Sequence, residues 1–143
     1  MRAAISEQDL AALGCFAPDP IKPKRNKYSA IKVKIDGITF DSKKEARRYV
    51  ELKVILKQNG TSEGLKVHPR FALKVGDRII GYYEADFSYW FERNPKAKIS
   101  QVDFIVEDVK AIDRKTGKPL ITELAKWKIR HFEAQEGMKV RIV

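Results

Sequence analysis

The segment 101–111 constrains the fold more than any other part of this chain of 143 residues. Side chains in an extended strand alternate between two faces. Val102, Phe104 and Val106 would therefore lie on one face, and Ile105 on the other. A strand that is apolar on both faces is typical of the buried middle of a sheet. The sequence thus predicts a central strand in this segment.

The same strand ends in charged residues. Asp108 and Lys110 share its first face, whereas Glu107 lies on the opposite one. A carboxylate at the end of a buried strand is costly unless it is paired or binds a metal. The simplest interpretation is an ion pair between Asp108 and Lys110 where the strand emerges into solvent. A shared site is the sharper hypothesis, because Asp86 is expected on a neighbouring strand and Glu45 on a helix.

The other periodic segments predict a domain that contains both helices and strands. Asp-Gly and Gly-Asp turns separate runs of alternating apolar residues, which are typical of strands. Further strands are expected at 29–35, 38–40, 68–75, 78–91 and 138–143. Helices are expected from Asp41 or Ser42 to about Gln58 and from Thr122 to Glu136, with stops at Asn59-Gly60 and Gly137. This order predicts an α+β or α/β layered domain with a helix on the sheet.

Asp86 and Glu45 each have a place in these elements. In the strand expected at 78–91, Asp86 lies on the polar face. Glu45 fits a capping box with Ser42 as the N-cap, and this role requires no chemistry. Glu45 also continues a helical apolar stripe that includes Tyr49, and this stripe points towards the sheet. The two roles are compatible.

Basic residues outnumber acids, and they cluster. The chain has 29 Lys and Arg against 19 Asp and Glu, a formal net charge of +10. Residues 21–48 contain ten basic residues and three acids, so this stretch alone carries +7. A solvated surface is the plain interpretation, but the neighbouring Tyr28 favours contact with nucleic acid. The expected DNA-binding residues are Lys22, Lys24, Arg25, Lys27, Lys43, Lys44 and Arg47.

Residues 1–27 are expected to form an N-terminal arm, a short helix followed by a basic linker, before one domain at 28–143. The prolines of the linker exclude a basic amphipathic membrane helix. The one cysteine, Cys15, excludes an intramolecular disulfide and fits a reducing compartment. The chain lacks an apolar run of membrane-spanning length and a secretory signal, so we expect a cytoplasmic protein. His68 and His131 lack the spacing of a zinc site with Cys15 and are expected to be packing or surface groups.

Three acids and a lysine that converge on one place would form a site of hard oxygen ligands. Such a site suits Mg²⁺ or Mn²⁺. Lys110 would orient a water or steady the charge of the transition state, while the metal polarises the scissile phosphate. The basic residues would hold the phosphate backbone. Glu45, Asp86, Asp108 and Lys110 are therefore candidates for metal-assisted hydrolysis of a phosphodiester.

The order of these residues resembles the PD-(D/E)xK nuclease superfamily. Asp86 is followed by Asp108-x-Lys110 on an adjacent strand, and Glu45 precedes both on a helix. The chain is also similar to a family of small phage-encoded endonucleases, related to phage endonuclease I and other Holliday junction resolvases. The similar segments are 37–49 (GITFDSKKEARRY), 68–71 (HPRF), 85–87 (ADF) and 106–110 (VEDVK). The resemblance extends from about residue 27 to residue 143.

This resemblance implies a restriction-endonuclease-like core, in which two main helices flank a central mixed β-sheet. It implies that Glu45, Asp86 and Asp108 bind the metal and that Lys110 is the catalytic lysine. The implied activity is that of a Mg²⁺-dependent (or Mn²⁺-dependent) DNA endonuclease on branched DNA, acting as a homodimer. A shift of one residue in register would exchange Asp108 for Glu107. The pleat favours Asp108, because it shares a face with Lys110.

Two other functions stay open at this point. The chain could be a non-catalytic nucleic-acid-binding module, in which the acids are only caps and ion pairs. It could also be a nuclease of the same fold that cuts linear DNA, in nicking or in transposition. Cleavage of defined DNA substrates distinguishes these functions.

Overall fold

The computed structural model of the chain describes residues 31–99 and 101–143. The expected N-terminal helix and linker lie outside the described residues, and so do Lys22, Lys24, Arg25 and Lys27. In chain order the elements are β1 (Val33–Ile35), β2 (Ile38–Phe40), α1 (Lys43–Asn59), a 3₁₀ turn (Ser62–Gly64), β3 (Lys66–Val67), β4 (Arg70–Val75), β5 (Arg78–Glu84), β6 (Phe87–Glu92), β7 (Val102–Asp108), α2 (Glu123–Glu136) and β8 (Val140–Ile142).

Strand β7 lies inside a four-stranded sheet, as its two apolar faces predict. The strand order is β3-β6-β7-β8, and β7 pairs antiparallel with β6 and parallel with β8. In this register Glu107 lies opposite Phe87, and Asp108 lies opposite Ile142. The hairpins β1-β2 and β4-β5 form two-stranded sheets of their own. In residues 31–99 and 101–143, two helices and a mixed sheet confirm the predicted α+β class.

The two helices cover opposite faces of β7. Ile105 packs against a buried cluster that includes Leu52 of α1 and Phe87 of β6, which we call the α1 cluster. The next residue, Val106, belongs to a second buried cluster that includes Phe132 of α2, which we call the α2 cluster. Successive residues of a strand point to opposite faces, so each helix covers one face. This burial on both faces explains why the strand is apolar throughout.

The strand expected at 78–91 is wrong in one respect, because it is broken at Ala85-Asp86. The Ala85 N–H donates to the Pro69 carbonyl at 3.1 Å, whereas the Asp86 N–H donates to the Glu107 carbonyl at 3.1 Å. Beyond the break, β6 gains β7 as a second neighbour, while its pairing with the preceding segment continues in the same register to β3. Pro69 has no N–H, so its pair with Ala85 keeps only one of the two hydrogen bonds of an antiparallel pair.

The break also divides the apolar face expected for that strand. Tyr83 and Ala85 belong to the α2 cluster, whereas Phe87 and Tyr89 belong to the α1 cluster. Asp86 lies between the two groups, at the point where the side chains of this segment stop packing in the α2 cluster and begin to pack in the α1 cluster. A single regular strand would have put all four apolar residues under one helix.

The helix ends agree with the expected caps. Ser42 Oγ accepts a hydrogen bond from the Glu45 N–H at 3.1 Å at the start of α1, and Thr122 caps α2 in the same way. Gly60 and Gly137 follow the helices with φ of 80° and 66°, a left-handed conformation that favours glycine. Of the helices in residues 31–99 and 101–143, none is both long enough and apolar enough to cross a membrane.

Candidate metal centre

Asp108, the last residue of β7, is buried beside Lys110. Lys110 Nζ donates to Asp108 Oδ1 at 2.6 Å, and the Tyr83 hydroxyl donates to Asp108 Oδ2 at 3.3 Å. The Lys110 N–H donates to the Val143 carbonyl at 2.9 Å, which fixes this residue beside the end of the sheet. The expected ion pair is therefore present, but Asp108 is only 3% exposed, so its carboxylate is buried and does not lie in solvent.

Asp86 lies at the break between β5 and β6, within hydrogen-bonding contact of Asp108. The Val109 N–H donates to Asp86 Oδ2 at 2.6 Å. Burial, the hydrogen bond with Asp108 and the negative charge of Asp108 raise the pKa of Asp86 from 3.8 to about 7. Two carboxyl groups in such contact are short of positive charge, which a bound cation would supply.

Glu45, in the first turn of α1, has both of the roles expected for it. Its Oε2 accepts from the Asp41 N–H at 3.2 Å, and its own N–H is capped by Ser42, so the capping box is present. Its Oε1 lies 2.6 Å from His68 Nε2, and the residue is 4% exposed. The potential ligand atoms of Glu45, His68 and Asp86 all lie within 4.8 Å of one another. The capping acid therefore also faces the site.

His68 belongs to this site, against the expectation of a packing or surface group. Its N–H donates to the Asp86 carbonyl at 3.0 Å, and its side chain contacts Glu45. Its φ of 52° lies in a region that residues other than glycine seldom adopt. His68 lies opposite Asp86 because β3 and β4 pair with β6 and β5 in one continuous antiparallel register. The only sequence signal was its place in the segment HPRF.

Glu107 faces away from the site, so the register favoured by the pleat is confirmed. Its side chain is fully buried under α1 and accepts two hydrogen bonds from Arg48, both at 2.8 Å. Tyr89 and Arg141 also donate to it. Burial would raise the pKa of Glu107, but the hydrogen bonds from Arg48 and Tyr89 outweigh burial and lower it. Glu107 is thus a buried ion-pair residue, and Asp108 is the acid that faces Lys110.

Three of the expected DNA-binding residues lie in the described part of the chain. Lys43, Lys44 and Arg47 are exposed in the first turns of α1. Lys44 Nζ donates to the Lys110 carbonyl at 2.7 Å, so it is held at the edge of the site. Lys44 and Arg47 also line an open pocket of about 260 Å³ together with Val109. Basic side chains at the start of α1 therefore lie next to the acids of the candidate metal centre.

The structure brings all four candidate residues close together: ligand atoms of Glu45 and Asp86 lie within 4.8 Å of each other, Asp86 lies beside Asp108, and Lys110 pairs with Asp108. A protein family described as "Protein of unknown function (DUF1064)" matches residues 25–136, which include all four of them. No curated protein matches the chain, and no solved structure does.

Proposed function

The chain belongs to the DUF1064 family of proteins of unknown function, and we propose from its site that it is a divalent-metal-dependent DNA endonuclease. One observation carries this proposal. Asp86, at the break between β5 and β6, lies beside Asp108, the last residue of β7, and Lys110 Nζ lies 2.6 Å from Asp108 Oδ1. Potential ligand atoms of Glu45 and His68 lie within 4.8 Å of one in Asp86. Paired carboxylates beside a lysine are suited to metal-assisted phosphodiester hydrolysis.

The residues present fit a divalent cation. Glu45, Asp86 and Asp108 offer carboxylate oxygens, which Mg²⁺ and Mn²⁺ prefer, and His68 offers a nitrogen that Mn²⁺ accepts. Burial, the hydrogen bond with Asp108 and the charge of Asp108 raise the pKa of Asp86, and a cation bound beside it would favour its ionised form. A divalent ion bound here supplies polarisation of the scissile phosphate and a water of lowered pKa.

The residues of the chain itself supply position and charge. Asp108 and the Val143 carbonyl together hold Lys110, so its ammonium group has a fixed place beside the acids. A lysine fixed in this way orients a water or steadies the negative charge that develops on the phosphate. On the α1 side of the site, Lys44 and Arg47 bind backbone phosphates of the DNA strand that is cut.

The proposed substrate is DNA, in keeping with the net charge of +10. Branched DNA and a homodimer with two sites are part of the proposal, and both rest on the resemblance to phage endonucleases and junction resolvases. Two sites in one assembly would cut the two strands of a paired substrate. A non-catalytic nucleic-acid-binding module is the alternative that the next experiment excludes or establishes.

The test is cleavage of labelled four-way, flap, nicked and linear DNA with Mg²⁺, with Mn²⁺ or with EDTA. We expect wild type to cut at least one of these substrates in a metal-dependent way. Asp108→Asn and Lys110→Ala should keep DNA binding and lose cleavage. Asp103→Asn on the same strand and Lys115→Ala in an exposed loop make the same charge changes away from the site, and they should cut like wild type. A wild-type protein that binds DNA but cuts nothing with either metal contradicts the proposal.

A further inference from the structure

An open pocket of about 510 Å³ adjoins the candidate metal centre. Asp108 and Lys110 form part of its wall, so the pocket is continuous with the site. Arg70 and Tyr82 line it from the hairpin β4-β5, and Lys128 lines it from α2. Its volume falls in the range of about 300–1,000 Å³ that is usual for sites that enclose a small organic ligand. A single nucleotide fits such a space, but a stacked duplex does not.

The wall of this pocket carries the groups that bind a nucleotide. The Arg70 guanidinium carbon lies 3.9 Å from the centroid of the Tyr82 ring, so the guanidinium is held against a flat surface. Bases stack on aromatic rings and on guanidinium planes. Lys128 lines the same pocket and can bind a phosphate. Among the residues that the structure describes, neither Arg70 nor Lys128 forms an ion pair with a carboxylate, so both charges are available to a ligand.

We propose that this pocket is a subsite for an unpaired nucleotide next to the scissile phosphate. The inference rests on the proposed function, because it places the scissile phosphate at Asp108 and Lys110. From there the strand continues into the pocket, where its base stacks on the Arg70–Tyr82 pair and its phosphate meets Lys128. The Glu84 carboxylate, which also lines the pocket, is an acceptor for an amino group of the base.

A base reaches this pocket only after it has left its own helix. Unpairing and unstacking cost a few kcal/mol for a paired base and least for a base that is already single-stranded. The subsite therefore favours DNA with an unpaired nucleotide at the cut, such as a splayed arm or a flap. It gives no advantage to a fully paired four-way junction or to a linear duplex. A basic surface alone would not separate these substrates, because phosphate contacts carry no such information.

The test is fluorescence anisotropy in EDTA, so that binding is measured without cleavage. The substrates are a splayed-arm DNA, a fully paired four-way junction and a linear duplex of matched sequence. We expect wild type to bind the splayed arm most tightly. Arg70→Ala, Tyr82→Ala and Lys128→Ala should each weaken binding to the splayed arm roughly tenfold and binding to the paired DNAs about twofold or less.

Lys126→Ala is the matched control for Lys128→Ala. Lys126 lies on the same helix, pairs with Glu123 and does not line the pocket. The Lys126→Ala variant should bind the splayed arm like wild type, or its binding to all three DNAs should be weakened equally. If Arg70→Ala does not fold, Arg70→Lys, which keeps the charge and loses the flat guanidinium, takes its place and should lose part of the preference.

Two results overturn the subsite. One is a wild-type protein with no preference for the splayed arm, or with no DNA binding at all. The other is a set of pocket variants that weaken all three DNAs equally, because the pocket would then contribute only charge. The two proposals fail separately. A protein that prefers the splayed arm through these residues but cuts nothing retains the subsite and loses the nuclease, whereas a protein that cuts DNA with unchanged pocket variants retains only the nuclease.

Discussion

Replacing Arg48 by alanine removes the main partner of Glu107, the buried acid next to Asp108 in β7. The Glu107 side chain is 0% exposed and accepts hydrogen bonds from both the Nε and the terminal amino group of Arg48 at 2.8 Å. Arg48 lies one turn after Glu45 on α1, so this pair joins the helix that carries Glu45 to the strand that carries Asp108. The variant therefore tests what holds the two halves of the site together.

The expected loss follows from burial. Removing one partner of a buried ion pair costs roughly 3–5 kcal/mol, because the other charge stays buried without compensation. Tyr89 and Arg141 still donate to Glu107 in the variant, so we expect the lower end, about 3 kcal/mol of unfolding free energy. Arg141 is 52% exposed, so Arg141→Ala should cost about 1 kcal/mol or less.

Urea unfolding followed by circular dichroism measures these losses. The double variant Arg48→Met/Glu107→Gln should be more stable than Arg48→Ala, because it removes both charges together. The pH dependence gives a second check. The pKa of Glu107 in the folded protein lies below its ordinary 4.5, so its contribution is present above pH 4.5 and is lost as the pH falls further. The advantage of wild type over Arg48→Ala should therefore shrink in acid. Surface substitutions usually change the free energy of unfolding by about 0.5 kcal/mol or less. If Arg48→Ala lowers the free energy of unfolding by less than about 0.5 kcal/mol, this reasoning is refuted.

Two other predictions concern the site acids. The raised pKa of Asp86 means that ionising it opposes folding, so metal-free wild type should lose stability relative to Asp86→Asn as the pH rises from about 4 towards 7. Thermal unfolding as a function of pH measures the difference in stability between the two proteins. Mg²⁺ should stabilise wild type at pH 8 but should not stabilise Asp86→Asn. Equal pH profiles of the two metal-free proteins contradict the prediction. Ser42→Ala should cost about 1 kcal/mol of unfolding free energy in urea, because it removes the cap of the Glu45 N–H, and Ser42→Asp should recover most of that loss.

The central strand and the helix ends were predictable because each depends on a local pattern. Apolar residues on both faces marked β7 as central, and alternation alone placed Asp108 with Lys110 and away from Glu107. The ends of α1 depend on Ser42 and Gly60, residues whose own chemistry determines the boundary. Such signals need no information from distant parts of the chain.

The break at Ala85-Asp86 was not predictable from alternation. The periodic pattern continues through these residues, although Tyr83 and Ala85 pack in the α2 cluster and Phe87 and Tyr89 in the α1 cluster. The contact of His68 with Glu45 was missed because it depends on where α1 packs, which no local pattern indicates. Pairing between distant segments determines this part of the site.

The partner of Glu107 was also not predictable from the local sequence pattern. Arg48 reads as one more basic residue of a basic stretch, and Arg141 lies far along the chain. Only the packing of α1 on β7 brings Arg48 to Glu107, with β8 supplying Arg141 beside them. One arginine of the basic stretch is thus partly buried against Glu107, whereas Lys44 and Arg47 in the same helix remain exposed at the edge of the site.

Direct binding of a divalent cation decides most clearly whether these residues form a metal centre. Mn²⁺ is titrated into wild type, Asp108→Asn and the control Asp103→Asn in the absence of DNA, and the free ion is measured by its electron paramagnetic resonance signal. We predict that wild type and Asp103→Asn bind Mn²⁺ equally and that Asp108→Asn binds it at least about tenfold more weakly. A wild-type protein that binds no Mn²⁺, or an Asp108→Asn variant that binds it as tightly as wild type, contradicts the proposed metal centre.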